Sequence, residues 1–236
     1  MSLPLFFILG RPRSGTTLLR TLFDAHPNVR IPPELPILMT LYQRFRKVTL
    51  WDETEILRFV EHLFQSNAFN FRRIENFRID REALTRDLLR LNGKATLEDM
   101  LTSMHAHCFS LYPKKELRMI GDKNPVYSIY IHRLMEIFPN ARFVCIVRDF
   151  RDNFVSLRNL RHAALEAPVL PLQVARWRII TENFLRYRRK YPDRFYLIRY
   201  EDLVSNPIEE YREVCDFLGL PFAPEVFDFH TKKGEF

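Results

Sequence analysis

The sequence has 236 residues, 47% of them hydrophobic, with 36 Lys and Arg against 29 Asp and Glu and a formal net charge of +7. This composition excludes a disordered or fibrous chain, because it can bury enough apolar surface to offset the entropy lost on ordering. The length suits one α/β domain over residues 1–236, and the excess of positive charge favours an anionic partner.

The chain begins with a predicted strand, loop and helix. The apolar run from Leu5 to Leu9 stops at Gly10, which is typical of a central strand covered on both faces. The loop Gly10–Thr17 follows, and apolar residues at helical spacing after it predict a helix.

Residues 34–115 show a different pattern from the rest of the chain. They are rich in Phe and Arg, their patterns are helical, and no strand stands out. We therefore expect a helical insertion over the sheet, which acts either as a substrate lid or simply as cover for the core.

The second half of the chain predicts three more strands, over 117–120, 142–147 and 194–200. Helices alternate with these strands. The alternation predicts a three-layer, mostly parallel α/β sheet, in which ligands bind beyond the carboxyl ends of the strands.

Two of the predicted helices begin with an Asn-Pro pair, which supplies an N-cap and a proline at the first helical position. One starts at Pro125 and the other at Pro207, and Gly219 ends the second. The helix from Pro125 is expected to bury one apolar stripe, formed by Val126, Ile129, Tyr130, Leu134 and Ile137.

A further helix near 174–190 carries many arginines, which raises the possibility of a nucleic-acid partner. The same helix has an apolar stripe, formed by Val174, Trp177, Ile180, Phe184 and Tyr187. Because basic residues opposite such a stripe are usually a solvated face, no nucleic-acid partner is expected. The three cysteines, Cys108, Cys145 and Cys215, are far apart in sequence and are expected to be reduced thiols.

The loop after the first strand has the glycine spacing of a phosphate-binding loop. Gly10 and Gly15 match G-x-x-x-x-G-K-[ST], but Thr16 stands at the lysine position. The backbone N–H groups of residues 14–17 and the helix dipole still form an anion site. In this P-loop-type loop, Arg13 stands in front of the hydroxyl residues, an arrangement that suits a smaller group than a triphosphate. An ATPase or GTPase is therefore disfavoured.

Three segments in order resemble the sulfotransferases that use 3′-phosphoadenosine 5′-phosphosulfate (PAPS) as co-substrate. They are FFILGRPRSGTTLLRTLFDAHPNV at 6–29, FVCIVRDFRDNFVS at 143–156 and YEDLVSNP at 200–207. The resemblance is closest to the branch that includes the tyrosylprotein sulfotransferases. It implies transfer of a sulfuryl group from PAPS to an acceptor hydroxyl or amine.

The resemblance implies which residues bind the nucleotide. The 5′-phosphosulfate maps onto Arg13, Ser14, Gly15, Thr16 and Thr17. The 3′-phosphate maps onto Arg148 and Ser156, and the adenine is expected beside Tyr200. Arg148 is also a candidate on its own pattern, because a guanidinium at the carboxyl end of a strand is placed to fork onto a phosphate.

The resemblance also implies two catalytic side chains besides Arg13. DAHPNVRIPPE places Glu34 where this branch has its general base, and apolar surroundings would make its carboxyl more basic. GDKNP resembles the lysine-containing turn of the family, so Lys123 is expected to stabilise the transferring and leaving groups. In-line attack on sulfur needs no metal, and no metal site is expected.

The sequence departs from the family pattern at three places. The tyrosylprotein enzymes carry arginines after the base to hold an acidic peptide, whereas Pro36, Leu38 and Met39 occur here, so the acceptor need not be a protein tyrosine. No run resembles the membrane anchor of the Golgi enzymes, which predicts a soluble, cytoplasmic protein. The basic segment that closes over the nucleotide is expected to be short or missing, with Lys232 and Lys233 as partial substitutes.

Two other functions stay open. One is a non-catalytic or weakened nucleotide-binding P-loop protein, against which Glu34 and Lys123 argue. The other is a small-molecule kinase, which Thr16 and the lack of a magnesium-binding strand aspartate disfavour. The acceptor class is left open among carbohydrate, lipid, small phenol and peptide.

Overall fold

The computed structural model describes residues 3–34, 37–65, 74–159 and 169–231. In these ranges, five strands form one sheet: β1 Leu5–Gly10, β2 Val29–Arg30, β3 Met119–Lys123, β4 Arg142–Val147 and β5 Phe195–Arg199. Their spatial order is β2-β3-β1-β4-β5, and every neighbouring pair is parallel. The predicted parallel sheet is therefore confirmed.

Helices connect the strands. The α-helices in the described ranges are α1 Thr16–Ala25, α2 Leu38–Phe45, α3 Glu53–Gln65, α4 Arg81–Leu89, α5 Leu97–Ala106, α6 Ile131–Ile137, α7 Phe150–Arg158, α8 Leu170–Lys190, α9 Tyr200–Ser205 and α10 Pro207–Leu218. Shorter 3₁₀ helices span Ile74–Phe77, Pro125–Ile129 and Pro224–Thr231. As predicted, the described part of 34–115 contains helices and no strand.

The side chains of the central strand point alternately to two separate cores. Phe6 and Ile8 of β1 join a core with α1 and α10, whereas Phe7 and Leu9 join a larger core with α2 to α6. All four side chains are fully buried. Because consecutive residues of a strand face opposite sides of the sheet, a fully apolar strand requires a helical layer on each face, which gives three layers.

The third strand ends later than predicted. β3 runs to Lys123, paired with Ile8 of β1, instead of ending before Gly121. Gly121 lies inside the strand and does not end it, and glycine is required there because a Cβ would lie 2.8 Å from the Phe6 ring and from Cδ1 of Ile31. Lys123 is thus the last residue of a buried strand and not part of a turn.

The helix expected from Pro125 to residue 137 is broken in two. A 3₁₀ helix ends at Ile129 and α6 begins at Ile131. In a 3₁₀ helix, residues three apart lie on the same side, so Val126 and Ile129 share one face. They are 49% and 55% exposed, and the prediction that they belong to the buried stripe is wrong.

The long helix α8 also differs in detail from the prediction. It starts at Leu170, Phe184 of the predicted stripe is buried, and Val174 is 42% exposed. The polar Gln173 is buried in its place because it binds an arginine of the loop after β1. The three cysteines are buried and unpaired, as predicted. Within the described ranges, no helix has both the length and the apolar character needed to cross a bilayer.

Candidate functional site

The loop between β1 and α1 has the backbone geometry of an anion site. Gly15 is the N-cap of α1 with φ 92° and ψ 7°, a left-handed conformation that glycine adopts without strain. A Cβ at this position would lie 2.3 Å from Cδ2 of Tyr200, so the loop and that ring are in close contact. The first N–H groups of a helix lack partners within it, and here they point out of the carboxyl edge of the sheet.

Two buried side chains hold the loop in this shape through hydrogen bonds to its backbone. Ser128 accepts a hydrogen bond from Gly10 N at 3.1 Å and donates one to Gly10 O at 3.2 Å. Asn153 of α7 donates to Pro12 O at 2.9 Å and to Ser14 Oγ at 3.1 Å. Both are fully buried, so they fix the loop without being exposed to a ligand.

A third support comes from α8. The guanidinium of Arg11 is 3% exposed and donates to the backbone oxygen of Gln173 at 3.1 Å and to its side-chain oxygen. The sequence analysis missed Gln173, Ser128 and Asn153, although Asn153 lies within one of the three family-like segments.

Four predicted nucleotide-binding residues lie together beside the loop, and we call them the nucleotide cluster: Arg13, Arg148, Ser156 and Tyr200. Arg13 Nε donates to Ser156 Oγ at 3.0 Å, and Arg148 donates to Arg13 O at 3.2 Å. The Arg148 guanidinium carbon lies 4.5 Å from the centre of the Tyr200 ring. The Nε atom of Arg148 is buried and has no hydrogen-bond partner among the described residues, so it remains available to an anionic oxygen.

On the other side of the loop lie three residues that we call the transfer cluster: Thr17, Glu34 and Lys123. Lys123 is only 3% exposed, and its Nζ donates to Glu34 Oε1 and to Thr17 Oγ1, the latter at 3.4 Å. The Glu34 side chain is 36% exposed. Glu34 therefore lies in an ion pair at the protein surface, which differs from the apolar surroundings expected from its sequence neighbours.

Arg20 of α1 holds the segment that leads to Glu34. Its guanidinium donates to Pro32 O at 3.2 Å and to Ile31 O at 3.3 Å, and it lies 3.6 Å from the Asp24 carboxylate. Arg20 is 8% exposed. The sequence contained a signal for it, because an arginine among the buried apolar positions of α1 needs partners for its charge.

A buried, hydrogen-bonded pair of titratable residues lies directly behind Lys123. Asp122 of β3 and His105 of α5 are at most 1% exposed, and His105 Nε2 lies 3.0 Å from the Asp122 carboxylate. Burial lowers the pKa of His105, but the hydrogen bond and charge of Asp122 outweigh that effect and leave the pKa raised. His107 faces elsewhere, 3.1 Å from Asp87. Among the described residues, no group of three or more His, Cys, Asp or Glu could hold a metal ion.

Some predicted features fall elsewhere. Tyr200 begins α9 and does not end a strand, since β5 stops at Arg199. Leu38 is buried at the start of α2. Pro36, Lys232 and Lys233 lie outside the described residues.

Comparison with known proteins agrees with this geometry. The sequence model of the sulfotransferase family matches residues 4–224. A protein-tyrosine sulfotransferase of Drosophila melanogaster is 26% identical over 229 residues, which are 95% of this chain and 40% of that protein. Protein-tyrosine sulfotransferase 1 of Danio rerio is also 26% identical, over 95% of this chain and 55% of its own length. The chain thus spans about half the length of these curated relatives.

Two solved structures share the fold over nearly the whole chain. The sulfotransferase domain from the curacin biosynthetic pathway is 27% identical with a TM-score of 0.61, and the match covers all of this chain and 80% of that one. The sulfotransferase domain of the Synechococcus PCC 7002 olefin synthase is 25% identical with a TM-score of 0.63, and the match covers 98% of this chain and 78% of that one. Since the family match extends over the loop, both clusters and the strands that carry them, this chain belongs to the sulfotransferase family.

Proposed function

We propose that the chain transfers a sulfuryl group from PAPS to an acceptor hydroxyl or amine. The observation that carries the proposal is that one anion-binding loop is flanked on one side by the nucleotide cluster and on the other by the transfer cluster. Family membership and the protein-tyrosine sulfotransferase relatives support the same reaction.

The nucleotide cluster has the chemistry that a 3′-phosphorylated nucleotide requires. The N–H groups at the start of α1 would bind the 5′-phosphosulfate, as helix N-termini bind phosphate. The Arg148 guanidinium, whose buried Nε finds no hydrogen-bond partner among the residues that the structure describes, would fork onto the 3′-phosphate together with Ser156. The ring of Tyr200 lies beside Gly15 and would contact the adenine.

The transfer cluster supplies a base and a cation. The acceptor oxygen or nitrogen attacks sulfur, its proton passes to the exposed Glu34 carboxylate, and the bond between sulfur and the 5′-phosphate oxygen breaks. The electron pair of that bond remains on the phosphate oxygen of the departing 3′,5′-adenosine bisphosphate (PAP). Lys123, held at the end of β3, stabilises the negative charge that develops there.

Calorimetric titration tests the nucleotide site. PAP is expected to bind about tenfold or more tightly than adenosine 5′-monophosphate, without magnesium, because only PAP engages Arg148 through a 3′-phosphate. Equal affinity for the two nucleotides would contradict the assignment. Preference for ATP with magnesium would favour a small-molecule kinase instead.

A second prediction concerns Arg20 as a positioning residue for Glu34. Arg20→Met is expected to lower kcat about tenfold, because the carbonyls of residues 31 and 32 lose their donors and the base is no longer held at a fixed distance from the loop. The dissociation constant for PAP should stay within about threefold of the wild-type value, because the loop itself keeps its contacts.

Arg20→Lys separates positioning from charge. Lysine keeps the charge near Asp24 but cannot fork onto two carbonyls, so kcat should remain reduced. A variant in which PAP affinity and kcat fall in parallel would show that Arg20 supports the whole loop and not the base segment. Thermal unfolding of both variants checks that the fold is retained.

A further inference from the structure

The surface next to the transfer cluster indicates the chemical class of the acceptor. We propose that the acceptor hydroxyl is flanked by an uncharged, apolar group, and that Val126 and Ile129 form the surface that binds this group. We call these two residues the apolar ledge. The inference rests on the proposed sulfuryl transfer.

The apolar ledge is held at a fixed place relative to both catalytic residues. Its 3₁₀ helix begins two positions after Lys123. Ser128 of that helix binds Gly10 at the start of the loop, as described above. The hydroxyl of Tyr127 accepts a hydrogen bond from Leu38 N at 3.1 Å, four residues after Glu34. The 3₁₀ helix that carries the ledge is therefore tied both to the loop and to the start of α2, which follows the segment of the base.

The two side chains of the ledge are exposed to solvent, whereas the two residues between them are buried. Tyr127 and Ser128 are fully buried, whereas Val126 and Ile129 are 49% and 55% exposed. Because a 3₁₀ helix has three residues per turn, the two exposed side chains stack on one face. Contact with an apolar ligand would remove this surface from water, which is favourable in proportion to the area covered.

The charge pattern of the two segments that follow the transfer cluster favours an uncharged acceptor over an acidic one. Charged residues make up 28% of the chain, yet the nine residues from Leu35 to Gln43 and the eight from Asn124 to Ile131 contain none. These two runs directly follow Glu34 and Lys123. Neither run therefore offers a cation to a carboxylate beside the attacking hydroxyl, and the nearby ammonium of Lys123 is already paired with Glu34.

A pair of acceptor peptides with the same attacking group tests this class. Acetyl-Leu-Tyr-Leu-amide and acetyl-Glu-Tyr-Glu-amide differ only in the residues that flank the tyrosine hydroxyl. In both, the hydroxyl oxygen forms a bond to sulfur, the proton goes to Glu34, and PAP leaves. With PAPS, kcat/KM is expected to be about tenfold higher for the leucine peptide, because one covered leucine-sized group contributes that much.

Substitutions on the ledge should reverse this preference. Val126→Lys and Ile129→Lys are each expected to lower kcat/KM for the leucine peptide about tenfold and to raise it for the glutamate peptide, with PAP affinity unchanged. Ile208→Lys is the matched control, since Ile208 is 47% exposed on α10, and it should alter neither value.

Three results would overturn the proposal. The first is a higher kcat/KM of the wild-type protein for the glutamate peptide than for the leucine peptide. The second is an equal change of kcat/KM for both peptides in the lysine variants. The third is no sulfuryl transfer to either peptide by a preparation that binds PAP. The last result would leave the proposed sulfuryl transfer intact and reject only the acceptor class. A preparation that does not bind PAP would reject the proposed function, and the acceptor class with it.

Discussion

Lys123→Met is expected to lower kcat by about 100-fold or more, as removal of a preorganised charge-stabilising donor does in other enzymes. The ammonium lies 3.4 Å from the hydroxyl of Thr17, the second residue of α1, and thus beside the loop where the proposed reaction develops charge on the leaving phosphate oxygen. The dissociation constant for PAP should change by less than about threefold, because most of the proposed nucleotide contacts belong to the nucleotide cluster. Single-turnover sulfation and calorimetry with PAP measure the two quantities.

Matched variants keep this prediction specific. Lys115→Met removes an exposed lysine and should leave kcat unchanged. Glu34→Gln removes the base but keeps the shape of the side chain, and it should lower kcat while sparing PAP affinity. Glu34 is 36% exposed and can be hydrated when Lys123 is absent, so the fold should survive. Full activity in both Lys123→Met and Glu34→Gln would show that the catalytic assignment is wrong.

Arg148→Met is expected to weaken binding of PAP by about 10- to 100-fold, which corresponds to the loss of charge-assisted hydrogen bonds to one phosphate. Binding of adenosine 5′-monophosphate, which has no 3′-phosphate, should change less than about threefold. The expected selectivity follows from the position of the guanidinium, which contacts the backbone of Arg13 and the ring of Tyr200 while its buried Nε has no hydrogen-bond partner in the described part of the chain. Titration of the variant with both nucleotides measures the difference.

A neighbouring arginine provides the control. Arg151 has a side chain that is 86% exposed and paired with Asp149, so Arg151→Met should leave both affinities unchanged. If Arg148→Met weakens the two nucleotides equally, Arg148 supports the shape of the loop through Arg13 O and does not recognise the 3′-phosphate.

The strands were predictable because their signal is local. β4 has the predicted bounds, 142–147, and the apolar run from Leu5 to Leu9 matches β1 to within one residue, since a continuous apolar run that stops at a charged residue or a glycine needs no tertiary information. The residues of both clusters were found through segments that resemble the family, and the structure brings them together around one loop.

The supports of the loop were not predictable in the same way. Ser128 lies 118 residues from Gly10, and Asn153 lies 139 residues from Ser14. The sequence around a single serine or asparagine contains no local pattern that predicts a hydrogen-bond partner so far away in the chain. The exposed ledge was missed for a different reason: apolar residues at positions 126, 129 and 130 fit an α-helical stripe, and only the change to three residues per turn exposes two of them.

Gly121 has a consequence for the sign of the charge at the site. A glycine is needed opposite Phe6, where any side chain would meet the ring and Ile31, so this residue fixes how β3 lies along β1. A shift by one residue would bring Asp122 to the place of Lys123 beside Ile8, because neighbouring residues of a strand face opposite sides. An anion would then lie where the ammonium of Lys123 now pairs with Glu34, so a residue without a side chain determines which charge the end of the strand carries.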